Sequence, residues 1–506
     1  MEFLNSHLLS LILFTPTLAA AIVMLLPQAQ VKLLRWVALL ASVVPLGLSL
    51  AAWMRFDMFA PGFQFEELAA WYASIGSNYH LGVDGLSLTM VMLTTLLTPL
   101  CILAAFSIQE RVRAFLALFL LLETGMLGVF LSLDLLLFFV FWEVGLVPMY
   151  FLINQWGSKN RDYASLKFLI YTMGGSLGLL LAIQMLRMVV GTFDLPVLYA
   201  RWPSLDQPLF GLPIGTVKNI AFWAFTIAFA IKVPVWPFHT WLPDAHTEAP
   251  TAGSMILAGV LLKLGAYGFL RLVLPLYPAQ AQTFAWVLAL LATAAIVFGA
   301  FASWGQTDFK RLVAYSSVNH MGFVVLGIAA AAWARGTASA ADAVIAMNGA
   351  VLQMFNHGLS AAGMFFLVGV LYERTHTREL NDFGGLWPLA PVYGGILVFT
   401  SMGSLGLPGL GGFVSEFLVV RGSWPIFTLF TAIAMLGLLI TGAYVLKAIQ
   451  KVLHGPVNTR WKETALEIAP REVVAIAPLM VLMLVIGVWP AWLLNVINAA
   501  VTRLFG

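Results

Sequence analysis

Seven ionisable side chains lie inside stretches otherwise apolar enough to cross a bilayer: Glu123, Glu143, Lys232, Lys263, His320, His357 and Glu416. A charge at the centre of a spanning helix costs about 2.5–3.5 kcal/mol on insertion scales. Folding alone gives no reason to incur that cost seven times. Carboxylates, imidazoles and amines held at mid-depth form a set that can accept and release protons, so the chemistry expected is ion movement, with protons the favoured ion.

The type and setting of each residue sharpen that expectation. Burial raises a carboxylate's pKa and a nearby lysine lowers it again, so a Glu143–Lys232 pair would respond to whether its partner is close. Lys263, within Leu261-Leu262-Lys263-Leu264-Gly265, is too deep to snorkel and is expected to exchange protons near neutral pH. His320 follows Ser316 by four residues, and His357 lies between Gln353 and Ser360, so both sit on polar helix stripes suited to a relay. Glu416 is expected to deliver protons outward. Glu123 is read as a further relay residue, with pairing to a neighbouring subunit's charge left open. His239, Asp244, His246 and Glu248 crowd one cytoplasmic loop but lack the spacing of a metal site, and a loop role is preferred for them.

The elements that position these groups follow from hydropathy. Of 506 residues, 61% are hydrophobic and 10% charged, against roughly 25% charged in a soluble domain. The fold class expected is an all-α polytopic membrane bundle. Fourteen apolar runs are found, near 5–27, 31–53, 83–107, 113–132, 135–156, 164–189, 218–240, 250–274, 283–304, 309–332, 343–371, 391–420, 425–450 and 472–498. The net charge of +3 gives no footprint for nucleic acid, and the single Cys101 excludes a thiolate cluster or disulfide framework. The start Met1-Glu2-Phe3 lacks a basic flank, so the first run reads as a retained helix. Lysines and arginines divide 16 to 8 between alternate loops, which puts the basic side in the cytoplasm and both termini outside. The loops 54–82 and 190–217 read as short caps, and 451–471 as a polar segment with a short surface helix.

Two runs are expected to be broken beside a titratable group. Run seven contains Lys232-Val233-Pro234-Val235-Trp236-Pro237, and each proline removes an amide donor. Run twelve contains Gly403 to Gly412 with Pro408, followed by Glu416. Interrupted spans at matching places in two halves point to inverted repeats around a transport site.

The run from Lys232 through Trp236-Pro237-Phe238-His239-Thr240-Trp241-Leu242-Pro243-Asp244-Ala245-His246 to Lys263 resembles the antiporter-like subunits of respiratory complex I. So do Gln306–Gly322, His357–Gly363, Tyr372–Arg378 and Gly412–Phe417. The resemblance implies fourteen helices with two inverted five-helix repeats, about 112–274 and 282–450. Helices 1–3 (1–108) precede them and a last helix (471–500) follows. It implies a mid-membrane proton path in which Glu143 and Lys232 are the paired glutamate and lysine. Lys263 is then the central lysine, His320 and His357 are relay positions, and Glu416 is an exit glutamate where siblings use lysine. It implies the inner membrane of a bacterium, with neighbouring antiporter-like chains L and N, lipids and, indirectly, a peripheral redox arm as partners. No cofactor is expected in this chain, with FMN, iron–sulfur clusters and quinone assigned to partner subunits. Subunits of multi-subunit sodium/proton antiporters and membrane-bound hydrogenase arms remain the alternative, and a sibling with a long lateral helix after its last bundle helix fits less well.

Overall fold

In lipid every backbone N–H and C=O must be satisfied within the protein, so apolar runs of this length close into helices. The computed structural model describes residues 6–505; the reading of Met1-Glu2-Phe3 and the first residue of run one lie outside the described residues. The spanning helices are α1 (Leu8–Leu25), α2 (Val31–Arg55), α3 (Gly85–Ala104), α4 (Val112–Leu131), α5 (Leu135–Trp156), α6 (Arg161–Val190), α7 (Ile214–Lys232), α8 (Thr251–Leu276), α9 (Pro278–Trp304), α10 (Phe309–Ala334) and α11 (Ala340–Thr375). Run twelve is two half-helices, α12 (Pro391–Leu405) and α13 (Gly411–Ser423), followed by α14 (Thr428–Leu453), α15 (Pro470–Val488) and α16 (Ala491–Phe505). α8, α10 and α11 are buried almost throughout and form the axis of the bundle, while α1, α2 and α15 keep much of their surface toward lipid.

Several boundaries differ from the hydropathy reading, each for a local reason. α7 stops at Lys232 instead of reaching 240, because Pro234 and Pro237 cannot donate to the preceding turn. Run fourteen is cut at Trp489-Pro490, and α16 buries Leu493, Val496, Ile497, Ala500 and Val501 at helical spacing. Gly85 at the start of α3 abuts Val496, and Asn348 Nδ2 donates to Asn498 Oδ1 at 2.6 Å, so α16 lies over the ends of α3 and α11. In 451–471 the helical piece is a single 3₁₀ turn, Thr459–Trp461.

The cap at 54–82 carries an unforeseen hairpin, β1 (Gln64–Tyr72) antiparallel to β2 (Ser77–Val83), in an otherwise helical chain. It is fastened where α5 and the short helix Leu195–Arg201 begin. Asp134 caps α5 by accepting from Leu136 N and Leu137 N, and accepts from Ser77 Oγ and Asn78 N as well. His80 places Nδ1 2.8 Å from Asp194 Oδ2 and Nε2 3.1 Å from Glu66 Oε2.

Burial opposes the His80 imidazolium, but hydrogen bonds to Asp194 and Glu66 outweigh it and hold the pKa above its ordinary value of about 6.5. Burial likewise opposes ionised Asp194, and the His80 contact outweighs it and keeps the pKa low. The raised histidine contributes its full stabilisation below about pH 6.5 and loses it as pH climbs through the folded value. The aspartate's share disappears only on strong acidification. Amides of β2, corrected for intrinsic exchange, should therefore lose protection in hydrogen exchange between pH 6.5 and alkaline pH. His80→Gln should abolish that dependence. Equal pH profiles in the two proteins would refute the assignment.

Candidate functional site: a buried lysine–histidine–glutamate line

The break after α7 exposes acceptors that its own sequence then satisfies. Val235 N bonds the Ala230 carbonyl at 2.8 Å, in place of the donor Pro234 lacks. Trp241 Nε1, from the helix Trp241–Glu248, donates to the Ile231 carbonyl at 2.8 Å. The expected loop of His239, Asp244, His246 and Glu248 is thus largely this helix. Asp244 holds Lys167 at 2.6 Å, and Glu248 accepts from Asn160 N at 3.0 Å. Both acids are structural fasteners there.

α8 docks on this break. A Cβ at Gly265 would stand 2.9 Å from Val233 N and 2.8 Å from the Phe229 carbonyl, so the helices touch by their backbones. The same helix contains two π turns, Leu257–Leu261 and Phe269–Val273. The first brings the Ala258 carbonyl to the Lys263 ammonium, which donates to it. Lys263 Nζ is also 2.7 Å from His357 Nδ1. With lysine as the donor, His357 carries its hydrogen on Nε2, which makes that nitrogen the outgoing side.

The second break supplies the other end. Gly406 has φ +83° and Gly409 φ +93°, backbone that glycine adopts without strain. A Cβ at Gly411 would be 2.5 Å from Asn356 Oδ1, so α13 starts hard against α11. Asn356 Nδ2 donates to the Gly411 carbonyl at 2.7 Å and fixes that start. Glu416 Oε1 accepts from Gln353 Nε2 at 2.9 Å and lies 2.7 Å from His320 Nδ1. With Nδ1–H facing the carboxylate, His320 Nε2 is the acceptor, and Tyr444 OH and Ser404 Oγ each approach it at 3.4 Å.

The two imidazoles are 5.8 Å apart between centroids. A cavity of about 20 Å³, lined by His357, Ser316, Ser404 and Tyr444 among others, opens beside His357, and it reaches His320 through Ser404 and Tyr444. One water needs roughly 10–15 Å³ and two to four polar partners, and this space offers both. Lys263, His357, His320 and Glu416 therefore form a line with one water-sized link. Each imidazole can take a proton on one nitrogen and release one from the other.

The remaining residues stand apart from that line. Among the described residues Glu143 and Lys232 make no direct contact ion pair, but Glu143 is the charged neighbour that acts on Lys232, so the two expected partners are close without touching. Lys232 Nζ sits instead 5.2 Å from the Trp142 ring centre and 5.8 Å from that of Phe168, an aromatic seat that replaces part of its hydration. Glu143 ends the first half of α5 beside Gly145, is partly exposed, and leaves Oε1 without a partner. Glu123 is wholly buried with both oxygens unpartnered, and its polar surroundings are Thr98 and Cys101 of α3, so no neighbouring subunit can reach it.

Sequence reading passed over Tyr444, Ser404 and Asn356, and it left His246 in a loop. His246 is fully buried, stacks on Phe365 at 4.2 Å with an 8° tilt, has neither ring nitrogen bonded, and has Lys310 and Lys263 as its charged neighbours. Its four-residue distance from Leu242 on an apolar helix face was the available signal. Tyr444 follows Thr441 by one turn, and Thr441 Oγ1 accepts from Asn319 Nδ2 at 2.6 Å, a stripe readable only once α14 meets α10.

Gly406→Ala should cost about 1–2 kcal/mol for left-handed backbone and press its Cβ to 3.3 Å from Glu416 Oε2. Gly409→Ala meets nothing and should cost stability alone. Thermal melting together with proton uptake by vesicles that carry the protein, the ion movement expected from the sequence, separates the two. Equal loss of pumping in both variants would remove the Glu416 contact as the cause.

A family model described as NADH:quinone oxidoreductase/Mrp antiporter, TM, matches residues 132–442. NADH-quinone oxidoreductase subunit M of Rhodobacter capsulatus is 42% identical, covering 98% of this chain and 96% of that protein. The subunit M of Rickettsia conorii is 38% identical over 99% of both. Among solved structures, a chain of respiratory complex I from Thermus thermophilus with bound NADH superposes with TM-score 0.85 at 29% identity, over 98% of this chain and 100% of that one. A chain of the Mrp complex from Dietzia shares the fold at TM-score 0.84 and 20% identity, over 99% and 98%. The broken helices, the buried line and these similarities converge, and the chain belongs to the NADH:quinone oxidoreductase/Mrp antiporter membrane family.

Proposed function

We propose that this chain is the M-type antiporter-like subunit of a proton-translocating NADH:quinone oxidoreductase and moves protons outward along Lys263, His357, His320 and Glu416. The observation that carries the reading is the run from Lys263 Nζ to Glu416 Oε1, with 2.7 Å contacts at both ends and, between the two imidazoles, a water-sized cavity beside His357 whose Ser404 and Tyr444 reach His320. Near full-length identity to M subunits favours this over a sodium/proton antiporter, for which the likeness rests on fold.

Loading begins at the basic face, which is the cytoplasmic one. Setting aside the buried Lys310, Lys218 and Arg271 leaves the bias of lysines and arginines in the same direction. A cavity of about 220 Å³ there is lined by Lys310, Glu248, Glu373 and Arg378. Behind it, His246 lies on the way to Lys263. Both termini then face outward, in the inner membrane of a bacterium.

The drive comes from outside the chain. Flavin, iron–sulfur and quinone chemistry belongs to partner subunits, and this chain carries no redox centre. The partly exposed Glu143 receives the signal from an adjacent membrane subunit, with the antiporter-like chains L and N as neighbours. A change of charge there shifts Lys232 in its aromatic seat, and the effect passes to Lys263 through the backbone contact at Gly265. Glu123, buried with both carboxylate oxygens unpartnered, is a proton reserve off the main line. The units 112–274 and 282–450 act as inverted repeats, since each carries its break in its fourth helix.

Moving one charge against 100 mV takes about 2.3 kcal/mol, so coupling must supply at least that per proton. Lys263→Ala in the assembled complex, reconstituted in vesicles, should lower proton uptake per NADH oxidised by the whole share that this one chain contributes. Glu416→Gln should do the same. Glu143→Gln should lower pumping and turnover together, because it severs the input. Unchanged proton yield in Lys263→Ala with intact assembly would overturn the reading.

A further inference from the structure

α8 does not end its polar course at Lys263. Tyr267 and Arg271 follow at successive four-residue steps toward the hairpin face, and Arg271 is only 4% exposed. Arg271 Nη2 donates to Asp84 Oδ1 at 2.6 Å, and Arg271 Nε donates to the Tyr267 oxygen at 2.9 Å. The Tyr267 hydroxyl donates in turn to the Phe130 carbonyl at 3.0 Å. Asp84 is itself held as the cap of α3, accepting from Leu86 N and Ser87 N. The second π turn of α8, Phe269–Val273, contains Arg271 and turns it into this contact.

On the far side of the ion pair is a cavity of about 320 Å³ lined by Asp84, Arg271, Tyr199, Arg335 and Arg503, room for several waters. Lys263 lies two helical turns deeper, about 12 Å along the axis. A lysine that gives up protons so near a wet cavity has a second route, one that bypasses the histidines. The cluster is built to close it. A guanidinium keeps its proton at any physiological pH and cannot pass it on. The phenol accepts from that guanidinium and spends its only hydrogen on a backbone carbonyl, which cannot carry a proton further.

We propose that Arg271, clamped between Asp84 and Tyr267, is a proton-blocking residue that insulates Lys263 from the cavity at the hairpin face and confines its proton to His357. The inference rests on the reading of Lys263 as a relay residue, and it adds a specificity role for a group outside the relay itself.

The test uses the whole complex in sealed vesicles carrying a pH-sensitive dye, with an imposed proton gradient and no NADH. Arg271→Gln should raise passive proton leak severalfold and lower the gradient reached during turnover while NADH oxidation continues. The double variant Arg271→Gln with Lys263→Ala should be as tight as wild type, because the leak has lost its inner acceptor. Lys263→Ala alone should be tight and lose this chain's share of proton uptake per NADH oxidised, which tests the relay separately from the plug. If Arg271→Gln does not assemble, Arg271→Lys is read in the same assay; its titratable ammonium loses the Tyr267 contact and should also leak. Wild-type tightness in whichever single Arg271 variant assembles overturns the proposal. So does an equal leak with and without Lys263.

Discussion

The Lys263 ammonium can sit at the centre of the bundle only because α8 loosens its own backbone to receive it. A regular helix commits every carbonyl to the amide four residues on. The π turn Leu257–Leu261 brings the Ala258 carbonyl within reach of the side chain, so that the cation has one backbone acceptor and one imidazole. Neither partner neutralises it. That is the difference from an ordinary buried ion pair, in which a carboxylate would hold the proton fast. The site trades stability for a lysine with an imidazole, and no carboxylate, as its side-chain partner.

The two broken helices reach the same end by opposite means. After α7 the prolines remove donors, and a tryptophan indole and a shifted amide take up the stranded carbonyls. Between α12 and α13 the glycines turn the chain through left-handed backbone, and Asn356 secures the start of α13. The first solution is rigid and aromatic, and it seats Lys232. The second leaves small residues around Glu416, where His320, Gln353 and Gly406 approach its carboxylate closely. The half with the cation is padded by rings, and the half with the anion by amides and hydroxyls, as each charge requires.

How much of this was legible in the chain depends on whether the cause was local. The fourteen apolar runs, of which 13 are helices long enough to cross a membrane among the described residues, and both breaks are local, because hydropathy and proline act over a few residues. Gln353 and Ser316 were placed beside their histidines by helical spacing, and Gln353 proved to bind Glu416 while Ser316 Oγ lies 2.7 Å from Tyr444 OH. That Glu143 and Lys232 act on each other without touching was not legible. Two opposite charges in neighbouring spans suggest a pair, but the rotation of each helix is set by packing, and Gly125 against Gly145 fixes that of α5. The hairpin was hidden for a related reason: β1 alternates poorly, and its partner segment owes its order to Asp134 and Asp194 from distant loops. Tyr444, Asn356 and His246 look like ordinary bundle residues until tertiary contact joins their helices. The same holds for Arg271, which charge counting assigned to a loop.

The tautomers give the line a sense of direction that distances alone would not. In the proposed relay His357 would receive on Nδ1 and release from Nε2, whereas His320 would receive on Nε2, which Tyr444 and Ser404 approach, and release from Nδ1. After one passage each ring holds its hydrogen on the wrong nitrogen and must be reset before the next. Resetting requires a second proton or a ring rotation, and His320 is hemmed by Glu416, Tyr444 and Ser404. Under that proposal the line would not conduct freely; it would advance one charge and wait. Coupling to a distant reaction asks for that property, since a freely conducting path between Lys263 and Glu416 would discharge the gradient between turnovers.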